Sequence, residues 1–219
     1  EISCSLVGSE MCIRDRTDKM MFTIIFPVLN ERLRLENGVT RTVEYLQSIA
    51  FEDYEIIIVD NGSEDETPQI AEKLCKKYDK VRYERINVRG VGAAFRRGVE
   101  VSHGDVVGYM DIDLSTNIRH LGEAIHLFET QPEIQYINGS RFARESDTRG
   151  RKWYRRITSQ GLLILLKLFL RMKSTDAICG FTFVRRETAL SLIEGCSRDN
   201  GWFLSLIHIS EPTRLQLIS

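Results

Sequence analysis

Gly108-Tyr109-Met110-Asp111-Ile112-Asp113-Leu114-Ser115 is an apolar run that breaks off into two carboxylates two positions apart. The run begins at Val106 and reads as a short buried strand. In an extended chain, side chains at i and i+2 point to the same side. Asp111 and Asp113 are therefore expected to converge on one hard cation at the strand's end. Mg2+ is typically held by one or two carboxylates plus substrate phosphate oxygens. The same triplet also suits a strand end followed by a solvated acidic turn, and the flanking chain must decide.

Working outward, the pattern alternates strand and helix. Residues 21–26 form a β-branched apolar strand that Pro27 is expected to stop. Val39, Val43, Leu46 and Ile49 then make one helical stripe. Residues 55–60 are near-continuously aliphatic up to Asp60, as in parallel strands covered on both faces. Thr67 with Pro68 predicts a helix N-cap followed by proline at the first helical position, with Ile70, Leu74 and Tyr78 on the inner face. Further strands are expected over 81–86, 105–111, 135–138 and 181–184, and further helices over 93–102, around Leu121, Ile125 and Phe128, over 153–172 and over 187–194. The polar stretch 142–152 reads as a loop.

The fold class is thus α/β, a mostly parallel sheet flanked by helices. In such sheets ligands bind outside the carboxyl ends of the strands. That rule gathers Asp60, Asp111, Asp113 and Arg141 at one rim.

Composition narrows the function. The net charge of −1 argues against a nucleic-acid binder driven by bulk charge. Cys4, Cys12, Cys75, Cys179 and Cys196 are odd in number and unevenly spaced, which suggests neither a disulfide framework nor a zinc site and fits a reducing, cytoplasmic compartment. His120 and His126 are expected on a helix surface. No apolar run reaches the roughly 18 residues of a membrane span, and the start of the chain lacks the pattern of a secretory leader. Asn87-Val88-Arg89-Gly90-Val91-Gly92 is not a dinucleotide fingerprint, because Phe95 stands where the third glycine belongs.

Taken together, Phe26-Pro27-Val28-Leu29-Asn30-Glu31, the stretch from Ile58 to Thr67, Asn87 to Ala94, Asp111 to Leu114, Gly139-Ser140-Arg141, Arg155 to Ser159 and Asp176 to Phe181 resemble the family 2 glycosyltransferases of GT-A (Rossmann-like) fold. Within that family they resemble the polyprenyl-phosphate sugar synthases, the dolichyl-phosphate mannosyl- and glucosyltransferases.

The resemblance implies a nucleotide-sugar donor, GDP- or UDP-linked, and a polyprenyl-phosphate acceptor. It places Pro27, Leu29, Glu31, Asp60 and Asn61 around the nucleoside; Arg89 and Gly90 are expected in a loop over the nucleotide, with Arg89 a diphosphate contact, or in a plain strand–helix turn. Asp111 and Asp113 would hold Mg2+ or Mn2+. Arg141 and Arg155 would meet phosphate groups, with Asp113 among the catalytic residues, and Asp176 would lie near the acceptor. Asp60 and Asp176 also suit a turn, Glu31 a solvated first-turn acid, and Arg141 and Arg155 each a surface ion pair. Ser115 stands where several members carry a longer glutamine.

The implied reaction is inverting hexosyl transfer to the lipid phosphate, with a glycan or other hydroxyl acceptor, or nucleotide binding without turnover, as alternatives. Residues 161–172, apolar and flanked by Arg155, Arg156, Arg171 and Lys173, suit either a core helix or a peripheral contact with a membrane face. The terminal stretches 1–16 and 205–219 resemble translated sequencing adapters and are expected to be non-native, leaving 17–204 as a C-terminally truncated catalytic domain.

Overall fold

The computed structural model describes residues 20–139, 180–195 and 215–218. In chain order the elements are β1 (Phe22–Val28), α1 (Leu35–Ser48), β2 (Tyr54–Asp60), α2 (Thr67–Lys77), β3 (Val81–Arg85), α3 (Val91–Val101), β4 (Val106–Met110), α4 (Arg119–Thr130), β5 (Tyr136–Gly139), β6 (Phe181–Arg185), α5 (Arg186–Gly195) and β7 (Leu215–Ile218). The described strands form one sheet in the order β3-β2-β1-β4-β6-β5-β7. The pairs β3-β2, β2-β1, β1-β4 and β5-β7 are parallel, and β6 is antiparallel to both its neighbours. This is the mainly parallel α/β sheet that the sequence implied. The edge strand β7 falls within the stretch expected to be non-native.

Strand alternation divides the core in two. Ile24, Phe26, Val28, Ile56, Ile58 and Met110 pack with α1, α2 and α4 on one face. Ile25, Ile57, Val59 and Tyr109 pack with α3 and α5 on the other. All seven residues of β2 are buried, as a strand covered on both sides requires. Phe22 anchors the first layer, its ring centroid 5.6 Å from that of Phe51 and 5.9 Å from that of Phe128. Burying such a side chain contributes about 1.5–3 kcal/mol.

Four expectations need correction. Pro27 does not stop β1, which runs to Val28. Pairing with β4 ends at Ile25–Tyr109, whereas pairing with β2 continues to Val28–Asp60. Because Val28 O accepts from Asn61 N on the β2 side, the alternate residue Pro27 turns its missing N–H toward β4, beyond the last paired residues, where no ladder bond is lost. Ile49 is the C-cap of α1 and is 41% exposed. Tyr78 is likewise past the end of α2, with extended backbone. Thr67 is the first residue of α2 rather than its cap. Asp65 Oδ1 accepts its N–H instead (2.9 Å), and its hydroxyl is used elsewhere.

The chain passes from β1 outward to β2 and β3, then returns to place β4 on the other side of β1. The crevice at the carboxyl ends of β1 and β4 is therefore the topological switch point, where open α/β sheets bind ligands. The expected loop 142–152 and helix 153–172 lie outside the described residues. Among the described residues no helix is long and apolar enough to cross a membrane.

Candidate active site

The rim is built from the loops that follow β1, β2, β3 and β4, and these are stitched together. After β1, Asn30 adopts a left-handed conformation (φ 56°), which asparagine tolerates better than most residues. Its N–H donates to Ser63 Oγ (2.9 Å), and its Oδ1 accepts from Glu64 N (2.9 Å). Glu31 N donates to Thr67 Oγ1 (2.8 Å), and Arg32 N to Asp65 Oδ2 (3.3 Å). Arg89, after β3, reaches Glu64 Oε1 at 3.3 Å. The Pro27–Glu31 and Asp60–Thr67 segments are thus one rigid corner.

Asp60 is fully buried at the end of β2. Its Oδ1 accepts from Ser63 N (2.7 Å) and its Oδ2 from the Tyr83 hydroxyl (2.8 Å). Burial first, then the bond to Asp60 and its negative charge, push the Tyr83 phenol well above the usual tyrosine range. The next residue, Asn61, is 5% exposed, and its Oδ1 is buried without a hydrogen-bond partner. A buried acceptor left unpaired is costly and marks a position able to take an N–H from a ligand.

At the tip of β4 the strand ends at Met110, one residue short of Asp111. Asp111 to Leu114 is a turn: Leu114 N donates to Asp111 O (3.0 Å), and Leu114 has φ 50°. A leucine in the left-handed region is strained by about 1–3 kcal/mol, and such strain is tolerated where the surroundings enforce it. Here Ile112 is buried against α1 and Leu114 packs on the same core. Asp111 and Asp113 are exposed on either side of Ile112, so the predicted alternation survives although the extended strand does not.

Two glycines allow this turn. A Cβ on Gly38 of α1 would stand 2.3 Å from Ile112 O, and one on Gly180 would fall 1.7 Å from Asp111 Oδ2. Asp111 N donates to Gly180 O (2.9 Å), tying the turn to the start of β6.

The acidic groups share one field. Burial raises the Glu31 pKa; Arg34 opposes this, and Asp113, Asp65 and Asp111 add to it. Arg34 Nε is 2.9 Å from Glu31 Oε2, and its Nη1 is 3.8 Å from Asp113 Oδ2. Asp113 Oδ1 accepts from Ser115 N (2.9 Å). Since β1 lies between β2 and β4, the tips bearing Asp60 and Asp111 are two strand spacings apart, about 10 Å.

Among the described residues no group of three or more His, Cys, Asp or Glu side chains forms a metal cage. The two exposed carboxylates fit instead a hard cation that takes its other ligands from phosphate oxygens and water. A groove lined by Tyr54, Tyr78 and Lys80 opens at the opposite end of the strands and includes none of these residues.

The structure therefore brings Pro27, Leu29, Glu31, Asp60, Asn61, Arg89, Gly90, Asp111 and Asp113 to one rim. Arg141, Arg155 and Asp176 lie outside the described residues. Of the two histidines expected on a helix surface, His126 is exposed on α4, whereas His120 is only partly so, with Nδ1 2.9 Å from Glu123 Oε2. Sequence reasoning missed Arg34, Gly38, Ser63 and Tyr83. Gly38 alone carried a signal, a glycine inside an amphipathic helix, where it costs about 1 kcal/mol against alanine.

A family model described as glycosyl transferase family 2 matches residues 23–191. The glycosyltransferase AglD of Haloferax volcanii is 37% identical over 185 residues, 83% of this chain and 29% of that protein. The dolichyl-phosphate beta-glucosyltransferase of Mus musculus is 34% identical over 208 residues, 89% of this chain and 64% of that protein. The chain thus spans less than two thirds of either relative. Among solved structures, glucosyl-3-phosphoglycerate synthase from Mycobacterium tuberculosis, in complex with Mn2+, UDP-glucose and phosphoglyceric acid, aligns over 90% of this chain and 69% of that one. The TM-score is 0.60 at 19% identity, a likeness of fold.

Proposed function

The chain belongs to glycosyl transferase family 2, and from that premise we propose that it transfers a hexose, with inversion, from a GDP- or UDP-linked donor to a polyprenyl (dolichyl-type) phosphate. The observation that carries this reading is the exposed pair Asp111 and Asp113 at the switch point, within the electrostatic reach of Glu31.

Asp111 and Asp113 would hold Mg2+ or Mn2+ against the donor diphosphate; the fold relative that carries UDP-glucose carries Mn2+ as well. Bound there, the cation supplies positive charge to the departing diphosphate. Pro27, Leu29, Glu31 and Asn61 line the nucleoside pocket. Asn61 Oδ1, buried and unpaired, accepts a base N–H, while Asp60 supports it by holding the turn beneath. Arg89 and Gly90 cover the diphosphate. By family resemblance, Arg141 and Arg155 neutralise phosphate charge and Asp176 faces the acceptor. A phosphate acceptor is already ionised at neutral pH. Its oxygen attacks the anomeric carbon in line as the nucleoside diphosphate leaves, and no residue has to remove a proton. A seat at the periphery of a membrane would bring such an acceptor to the rim.

The test is transfer of label from GDP-mannose and UDP-glucose to dolichyl phosphate in the presence of Mn2+, followed by butanol extraction. Label in the butanol phase is expected. Label confined to water-soluble glycan would favour a hydroxyl acceptor, and nucleotide binding without turnover would favour a non-catalytic role.

A further inference from the structure

Arg34 is a cation that the preceding reading leaves without a task. Arg32 and Arg89 pair outward, with Glu66 at 3.9 Å and Glu64 at 3.3 Å. Arg34 turns inward. It stands just before α1, its side chain 57% exposed, with Nε 2.9 Å from Glu31 and Nη1 3.8 Å from Asp113 Oδ2. The contact to Glu31 is a close ion pair without hydrogen-bond geometry and the one to Asp113 is longer, so the guanidinium is held by charge alone, more closely at Glu31 than at Asp113. We propose that Arg34 is a charge latch: it occupies Asp113 while no cation is bound, and is released toward the donor diphosphate when a divalent ion takes Asp113. The inference rests on Asp113 being a metal ligand.

The physical reasoning is competition. A guanidinium and a divalent cation cannot both sit against one carboxylate oxygen without repelling each other. The 3.8 Å contact is an exposed ion pair, inexpensive to break. The fork of an arginine suits two phosphate oxygens, and the donor brings its diphosphate to the same carboxylates. Arg34 thus opposes the metal alone and favours the metal together with the nucleotide. That couples cation retention to donor binding. A merely structural arginine would not divide its effects this way, because its loss would weaken both.

The experiment measures Mn2+ binding to the purified chain by electron paramagnetic resonance of the free ion, then GDP and UDP binding by calorimetry at saturating Mn2+. Arg34→Gln is expected to bind Mn2+ alone about fivefold more tightly, the upper end for an exposed ion pair, and the nucleotide about tenfold more weakly, for one charge-assisted contact. Arg34→Lys keeps the charge and should leave affinity for Mn2+ alone near wild type. If Arg34→Gln binds Mn2+ no more tightly, or binds Mn2+ and nucleotide as the wild type does, the latch is wrong. If Asp113→Asn abolishes Mn2+ binding while Arg34→Gln changes nothing, only the latch falls. If the wild type itself binds no Mn2+, the metal assignment fails and the latch with it.

Discussion

Replacing Gly38 by alanine sets two physical rules against each other. Gly38 is buried inside α1, its N–H donating to Arg34 O at 2.9 Å. By helix propensity alone, alanine there should stabilise the chain by about 1 kcal/mol. The new Cβ, however, would lie 2.3 Å from Ile112 O and 2.7 Å from Ile112 Cδ1. Restoring ordinary contact requires a retreat of about 1 Å, and the nearest obstacle is backbone rather than a movable side-chain tip. Overpacking of this kind costs about 1–3 kcal/mol.

With the upper part of that range appropriate for a backbone clash, the net loss is about 1–2 kcal/mol, or a Tm lower by about 2–8 °C. Ile112 is flanked by Asp111 and Asp113, so the same retreat displaces both carboxylates. A misplacement of about 1 Å can cost roughly a hundredfold in rate. Thermal denaturation and the Mn2+ dependence of the rate of sugar transfer read the two effects. Gly122→Ala in α4 is the control, since the one atom its Cβ would crowd is the tip of the Tyr45 side chain, Oη at 2.5 Å, with Ile49 Cδ1 at an ordinary 3.7 Å. It should be neutral or slightly stabilising. A Gly38→Ala chain with a raised Tm and unaltered Mn2+ dependence would refute the reasoning.

Three further outcomes are expected. Tyr83→Phe removes the hydroxyl that donates to Asp60 Oδ2 and leaves a buried carboxylate oxygen short of a partner, which should destabilise by about 1–3 kcal/mol in urea titrations. In the wild type, the tyrosinate absorbance of this residue should emerge only above the ordinary phenol range, because its pKa is raised. At the opposite rim, burial alone would raise the Glu55 pKa. The His103 N–H, the Thr23 hydroxyl, the His103 ring and Arg82 together outweigh it and hold this carboxyl below its ordinary value. A depressed carboxyl contributes stability above its unfolded pKa that is lost as pH falls through the folded one. Tm should therefore drop below about pH 4.5, and Glu55→Gln should flatten that acid limb; an equally steep limb in the variant would contradict the assignment.

The elements that could be read from sequence were those whose burial follows a simple period. The stretches 55–60 and 106–110 carry apolar side chains on both faces, and Leu121, Ile125 and Phe128 repeat at helical spacing with all three buried. Element ends were less legible because tertiary contacts decide them. Pro27 suggests a stop, yet the bond it cannot make falls beyond the last residues that β1 pairs with β4. Thr67 looked like a cap, but a residue 36 positions earlier claims its hydroxyl through the Glu31 N–H.

The acidic pair was visible as an interruption of an apolar run. An extended strand does not account for it, because the pair sits on a turn with Leu114 at φ 50°. Tyr83 and Arg34 left no local signature. Their importance comes from a hydroxyl reaching Asp60 across one strand pair and a guanidinium reaching Asp113 from the start of α1.

The central claim is that Asp111 and Asp113 hold a divalent cation against a nucleoside diphosphate. It is tested most directly by the thermal shift that GDP or UDP produces with and without Mn2+, in the wild type and in Asp113→Asn. A ligand at a hundred times its Kd stabilises by about 2.7 kcal/mol, so a shift of several degrees that requires Mn2+ is predicted for the wild type and none for the variant. An Mn2+-dependent shift that persists unchanged in Asp113→Asn would contradict it.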